Sequence, residues 1–232
     1  MHPMLFALSQ LPLRCVNAAL DLHVGGSRRE VFFDIDETYP ALREIDRNAD
    51  SIRAELMPLL SDWEDLPEYH VVDAAQTRIS SSTPHRWKVF LLYAMGEKPA
   101  VNRQRCPRTC AVIDDIPDLF QAFFSILEGG KSIPAHCGPY RGYLRYHLPL
   151  VVPAHNPPNI RVKDITHTWR DGESILFDDS WEHEVHNDAA DLRVVLIVDV
   201  LRPMPFPFHA VNRLVSVFIR YLYGRGLVKN LR

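Results

Sequence analysis

Polar and apolar residues alternate strictly along YLRYHLPLVV, residues 143–152. Tyr143, Arg145 and His147 fall on one face, and Leu144, Tyr146, Leu148 and Leu150 on the other. A period of two is that of a half-buried strand. LRVVLIVDVL, residues 192–201, is apolar on both faces except at Arg193 and Asp199, as expected of a strand inside a sandwich or barrel. WKVFLLYAMG reads as a strand closed by Gly96, and LFQAFFSILEGG as a strand or short helix. Asp171-Gly172 separates ITHTWR from ESILF and predicts a two-residue hairpin, because such a turn needs positive φ. Eight or nine short strands follow residue 86, which implies a sandwich or closed barrel.

Helical spacing appears at the two ends. Thr38 as N-cap and Pro40 in the first turn open a helix whose stripe is Leu42, Ile45, Ala49, Ile52 and Leu56, ended by Pro58. Its expected place is over one sheet. Residues 1–30 have no assigned role, and residues 58–85 read as loop with one or two turns. After Arg202 a second stripe, Val211, Leu214, Val215, Phe218, Tyr221 and Leu222, runs beside Arg213, Arg220, Arg225, Lys229 and Arg232, with no acidic residue from 202 to 232. This stripe is expected to pack on the barrel with its cations in water. The alternative is peripheral contact with an anionic membrane through residues 204–232. The chain is expected to be one domain over 1–232: an N-terminal extension and covering helix (1–85), a catalytic core (86–203) and a basic amphipathic segment (204–232).

Composition narrows function mainly by exclusion. A net charge of −3 gives no general attraction to nucleic acid. The four cysteines are too sparse for a disulfide scaffold, and the apolar N-terminus lacks a basic n-region and an A-x-A-like cleavage site. A cytoplasmic protein, with membrane association as an option, is expected. Cys106 and Cys110 lie four apart but have no matching second pair, so buried thiols are expected rather than zinc.

The chemistry gathers between residues 134 and 201. Arg145, His147 and Arg193 sit on strands whose neighbours are buried, and a buried charge is costly unless paired. Either a bound dianion or a structural carboxylate such as Asp199 would pair them. His136 and His183, 47 positions apart, lie at strand edges and suit a metal such as iron, zinc, copper or nickel. An iron facial triad would need a carboxylate two residues after the first histidine, but Gly138 stands there. Asp178 or Asp179 could contribute through a second shell or through water. His186 competes with His183, and on a strand only one of the two can point inward.

Several motifs occur together: His136-x-Gly138, Leu144-Arg145-x-His147-Leu148, Trp169-x-x-Gly172, Phe177-Asp178-Asp179-Ser180-x-Glu182-His183-Glu184-Val185, Arg193 followed by Ile197-Val198-Asp199-Val200, and Cys106-Pro107-Arg108-Thr109. With them the chain resembles the aspartyl/asparaginyl β-hydroxylase family of iron(II)- and 2-oxoglutarate-dependent dioxygenases. The match runs from about residue 87 to 203. The resemblance implies a mainly β, cupin-like jelly roll (a double-stranded β-helix) with an N-terminal covering helix and a C-terminal amphipathic helix. It implies His136 and His183 as iron ligands. Arg193 would pair with the distal carboxylate of 2-oxoglutarate, and His147, with Arg145 and Ser125, would contact the cosubstrate carboxylates. Glycine in place of the carboxylate ligand is also found in the family's eukaryotic members. No side-chain general base is implied. The reaction implied consumes O2 and hydroxylates an unactivated C–H, releasing succinate and CO2. An amino-acid or peptidyl (Asp/Asn-like) substrate is expected, whether a free small molecule or carrier-bound. A lipid acyl chain is the alternative, and the rival from another class is a non-catalytic metal-binding jelly-roll module, which would not need Arg193.

Overall fold

The computed structural model describes residues 3–229, with side chains described from residue 13 onward except those of Arg225 and Lys229. Among the described residues, ten strands form two antiparallel sheets. They are β1 (Phe32–Phe33), β2 (Trp87–Ala94), β3 (Leu119–Leu127), β4 (Ile133–His136), β5 (Tyr143–Val151), β6 (Asn159–Val162), β7 (Ile165–Thr168), β8 (Ile175–Phe177), β9 (His183–His186) and β10 (Arg193–Leu201). The larger sheet has the order β1-β8-β5-β10-β3-β2, and the smaller one β4-β9-β6-β7. They face each other as a double-stranded β-helix, the jelly roll that the motif set implies.

The larger sheet is buried on both sides. Leu144, Tyr146, Leu148, Leu196 and Val198 pack outward against helices, and Val89, Phe123, Phe177, Val195 and Ile197 pack inward against the smaller sheet. The alternation in β5 is therefore realised as read. Asp-Gly at 171–172 does turn, with Gly172 at φ +75, but it is not a hairpin. β7 pairs with β6, whereas β8 pairs with β5 and β1, so this turn carries the chain from one sheet to the other. The two-residue hairpin is at Lys163-Asp164, between β6 and β7, with Lys163 at φ +55. The apolar run Ile175-Leu176-Phe177 is buried throughout and needs strand neighbours in the larger sheet. That requirement outweighed the local turn preference.

The covering helix lies where expected, with different ends. Thr38 closes a short helix, Ile35–Thr38, capped by Asp34. The stripe continues through a 3-10 turn, Pro40–Leu42, and the helices Arg43–Arg47 and Ala49–Ser61. Leu42, Ile45, Ile52 and Leu56 are fully buried. Each such side chain contributes about 1.5–3 kcal/mol relative to exposure. Pro58 does not end the helix; Leu59, one residue on, is buried in the same core. Residues 58–85, expected as loop, hold four short helical segments between Trp63 and Ser80. The first 30 residues also have structure, a helix Pro3–Val24 that packs Leu20 against Phe120 and Tyr143. Cys106 and Cys110 are buried and free, beside the first turn of the helix Pro107–Asp114.

The C-terminal helix, Phe208–Ile219, corrects an expectation. Of the predicted stripe only Val215 packs on the body, while Val211, Leu214, Phe218, Tyr221 and Leu222 are exposed. The contact is made instead by Phe208, Val215 and Ile219, with Asn212 buried between them. Of the cations expected there, the side chains of Arg225 and Lys229 and the whole of Arg232 lie outside the described residues.

Candidate active site

His136 ends β4 and His183 opens β9, and the strand register sets them directly opposite each other. Their ring centroids are 4.2 Å apart. His136 Nδ1 donates to the Pro134 carbonyl at 2.8 Å, and His183 Nδ1 to the Trp181 carbonyl at 2.9 Å. Each ring thereby keeps its Nε2 lone pair free, the arrangement that a backbone carbonyl imposes on a metal-ligating histidine. Burial, reinforced by the neighbouring ring, pulls His136 down to about 3, and burial pulls His183 down to about 4. Both are neutral imidazoles at ordinary pH. His186 is exposed and reaches Glu184 at 3.2 Å, so His183 is the inward member of that pair.

A row of rings leads inward from this pair. Phe177 stands 6.1 Å from His183 and 5.0 Å from His147. His147 stacks on Trp169 at 5.8 Å, and the Arg193 guanidinium lies over the Trp169 ring at 4.0 Å. Arg193 is 1% exposed. Its one side-chain hydrogen bond runs from Nη1 to Ser125 Oγ at 3.4 Å, and among the described residues it has no carboxylate partner. Burial pulls its pKa down to about 9. Ser125 Oγ also accepts from Trp87 Nε1 at 3.0 Å. With both lone pairs engaged, its O–H remains to be given to an acceptor.

The described residues contain seven buried side-chain polar atoms without a hydrogen-bond partner, and five of them are here: both ring nitrogens of His147, Arg193 Nε, Trp169 Nε1 and Asp179 Oδ1. An unmade buried hydrogen bond costs about 1–3 kcal/mol, so such a concentration in one place requires a reason. They form a set of polar groups along the row from His183 to Arg193 that the chain itself leaves unmet.

Arg145 behaves differently from its expected role in cosubstrate contact. Its Nε and Nη2 bind the two oxygens of Asp199 at 2.8 Å each, and its Nη1 binds Asp179 Oδ2 at 3.1 Å. The cross-strand register Arg145↔Asp199 makes the first pair. Its charge is met within the chain, so it braces the site instead of reaching for a ligand.

Gly138 explains the missing triad carboxylate sterically. A Cβ there would stand 2.3 Å from Asp179 Oδ1. The space that a side chain at position 138 would need is already filled by the Asp179 carboxylate, held by Tyr143 Oη at 2.8 Å and by Arg145. Burial pushes the Asp179 pKa up, against the pull of Arg145. Asp178, by contrast, is fully engaged by Arg29 at 2.9 Å, Arg202 at 2.6 Å and Ser180. Among the described residues no three His, Cys, Asp or Glu side chains converge as a metal cluster. The loop after His136 is held from both ends of the chain. Asn17 bonds Pro139 and Arg141, Asn212 bonds Tyr140 and Gly142, and Arg202 donates to the Arg141 carbonyl. Of these, Arg202 lies within the span of the family resemblance and Asn212 within the C-terminal helical stripe, while Asn17 carried no signal.

A sequence model of the family described as aspartyl/asparaginyl beta-hydroxylase matches residues 46–203. An ornithine lipid ester-linked acyl 2-hydroxylase from Rhizobium tropici is 42% identical over 176 residues, 75% of this chain and 62% of that protein. A mouse aspartyl/asparaginyl beta-hydroxylase is 37% identical over 122 residues, 50% of this chain and 16% of that protein. The chain thus spans less than two thirds of the length of these relatives. Among solved structures, a Pseudomonas putida prolyl-4-hydroxylase aligns in part, with a TM-score of 0.43 and 16% identity over 67% of this chain and 88% of that one. The family match spans more than half of the chain and includes every strand from β2 to β10, and this chain belongs to the aspartyl/asparaginyl beta-hydroxylase family.

Proposed function

We propose that the chain is an iron(II)- and 2-oxoglutarate-dependent dioxygenase that inserts one oxygen atom of O2 into an unactivated C–H bond. The other oxygen would go to succinate, with CO2 released from 2-oxoglutarate. The supporting observation is the pairing of two free Nε2 atoms with a buried, carboxylate-free guanidinium along one row of rings. Imidazole nitrogens suit ferrous iron, and a guanidinium suits a carboxylate through charge-assisted hydrogen bonds. The donor set therefore fits both groups.

When bound, iron would activate O2, the oxidant, with 2-oxoglutarate supplying two of the electrons that reduce it and the C–H bond the other two, chemistry that no side chain can perform. The chain's own residues would position and insulate. His136 and His183 would hold the metal, with their tautomers set by the Pro134 and Trp181 carbonyls. Arg193 would hold the far carboxylate of the keto-diacid, and Ser125 would donate its hydroxyl to it. His147, neutral because burial and then Arg193 hold its pKa well down, would offer a ring N–H. Phe177, Trp169 and Ile197 would keep water out. Asp179 Oδ1 would accept from water beside the metal. No side chain is assigned as a general base.

For the substrate, the more extensive similarity to the ornithine lipid acyl hydroxylase favours an acyl chain. An Asp/Asn-like amino-acid or peptidyl substrate is the second reading, supported by the mouse relative over half of this chain. The first test is an anaerobic titration with iron(II) and 2-oxoglutarate. A weak visible charge-transfer band should appear, and His136→Ala should remove it; no band in the wild type would sink the dioxygenase reading. Mass spectrometry of an ornithine-lipid substrate and an Asp-containing peptide, each checked for gain of one oxygen, then decides the substrate class.

A further inference from the structure

The C-terminal helix Phe208–Ile219 divides lengthwise into three sectors at 3.6 residues per turn. One packs on the body through Phe208, Val215 and Ile219, with Asn212 buried. A second is polar, with His209 and Arg213 each 3.4 Å from Asp118 and Arg220, just past the helix end, 3.5 Å from Glu97. The third is apolar and faces water. Leu214 and Phe218 are 60% and 61% exposed, Val211 and Val217 lie beside them, and Leu222 extends the strip at 77%. Phe206, before the helix, is 86% exposed.

Large side chains left in water as a continuous strip mark a docking surface. Charge indicates the occupant. From residue 202 to 232 the sequence has six Arg or Lys and no Asp or Glu; Arg202 is buried on Asp178, while Arg213 and Arg220 stand exposed beside the strip. A second copy meeting this face about a two-fold axis would bring arginine against arginine, with Asp118 and Glu97 already engaged by the arginines of their own copy. An anionic lipid surface suits both features: the apolar side chains enter the acyl boundary while the guanidinium groups stay at phosphate level. No described helix is long and apolar enough to cross a membrane, so the contact is interfacial.

We propose that this face docks the protein peripherally on an anionic phospholipid bilayer. The docked helix is tied to the candidate active site, because Asn212 on its inner sector bonds Tyr140 and Gly142 in the loop that follows His136. Docking would therefore hold that loop one helix diameter, ~10 Å, from the lipid surface. The proposal is independent of the oxidation chemistry, since binding to vesicles needs neither metal nor cosubstrate.

The test is flotation of the full chain with vesicles of phosphatidylcholine alone or of equimolar phosphatidylcholine and phosphatidylglycerol, at low and high salt. The wild type should float with the anionic vesicles and lose binding as salt rises. Leu214→Ser with Phe218→Ser should weaken binding by about tenfold or more, since two apolar side chains leave the acyl boundary. Arg213→Gln with Arg220→Gln should weaken it by about tenfold. Both pairs are exposed, so thermal midpoints should match the wild type and separate lost docking from lost folding. A wild type that stays unbound with anionic vesicles overturns the proposal, as does an apolar double variant that floats like the wild type. A wild-type dimer in light scattering that the apolar double variant converts to monomer, without vesicle binding, overturns it in favour of self-association.

Discussion

Arg145 and Arg193 lie on neighbouring strands of one sheet, both withdrawn from water, and differ in what meets their charge. Burial opposes the Arg145 cation, but Asp199 and Asp179 outweigh it and push its pKa well up. Burial acts on Arg193 unopposed and pulls its pKa down to about 9. The effective penalty for a buried unpaired ion is several kcal/mol. The fold answers this penalty at one arginine with two carboxylates and, among the described residues, at its neighbour with a serine and the face of Trp169. The contrast marks Arg145 as a charge met within the chain and Arg193 as the one open to the anion proposed above.

The largest effect is expected at the metal pair, where both arginines become irrelevant. His136→Ala or His183→Ala should abolish iron(II)-dependent 2-oxoglutarate turnover while leaving the thermal midpoint of the metal-free protein close to the wild type; calorimetry and succinate release check both. Next comes the direct contrast. Arg145→Met leaves Asp199 and Asp179 buried and unpaired, and should cost about 3–5 kcal/mol in denaturant unfolding. Arg193→Met removes an unpaired charge, and should be neutral or stabilising without ligand while abolishing the thermal shift that 2-oxoglutarate produces. If Arg193→Met proves as destabilising as Arg145→Met, the distinction between the two arginines fails.

Gly138→Ala forces a methyl against an Asp179 carboxylate that Tyr143 and Arg145 hold in place. Overpacking of this kind costs about 1–3 kcal/mol, and adding Asp179→Gly should recover most of it. Chemical denaturation of the single and double variants measures the coupling. The smallest effect is expected at Ser125→Ala. It removes one hydroxyl's charge-assisted hydrogen bond to the cosubstrate carboxylate, so the 2-oxoglutarate KM should rise by about tenfold with kcat little changed.

Much of this was legible in the residue pattern. Period-two alternation in YLRYHLPLVV put Arg145 and His147 on one face and the leucines on the other, as found. It could not say which cation would meet a carboxylate, because Arg145 meets Asp199 through a register between strands 54 residues apart. Asp171-Gly172 carried a correct turn signal and misled about pairing, since a positive φ specifies a bend and not the sheet that the next strand joins. The helical stripe after Arg202 was real, but its period fixes only that one side is apolar, not which side meets the barrel. The helix buries Phe208 and Asn212 and turns Leu214 and Phe218 outward.

The sequence alone determined the local alphabet of the protein: strand and helix periods, the covering stripe, the buried thiols and the motifs of a hydroxylase family. Those depend on spacing within ten or so residues, over which side-chain direction follows chain geometry. The tertiary structure alone decided that two histidines face each other, that Asp179 fills the space beside Gly138, and that one buried arginine has no carboxylate partner among the described residues. Each is an encounter between distant segments, and burial makes each energetically decisive because water is not there to meet a charge left unpaired.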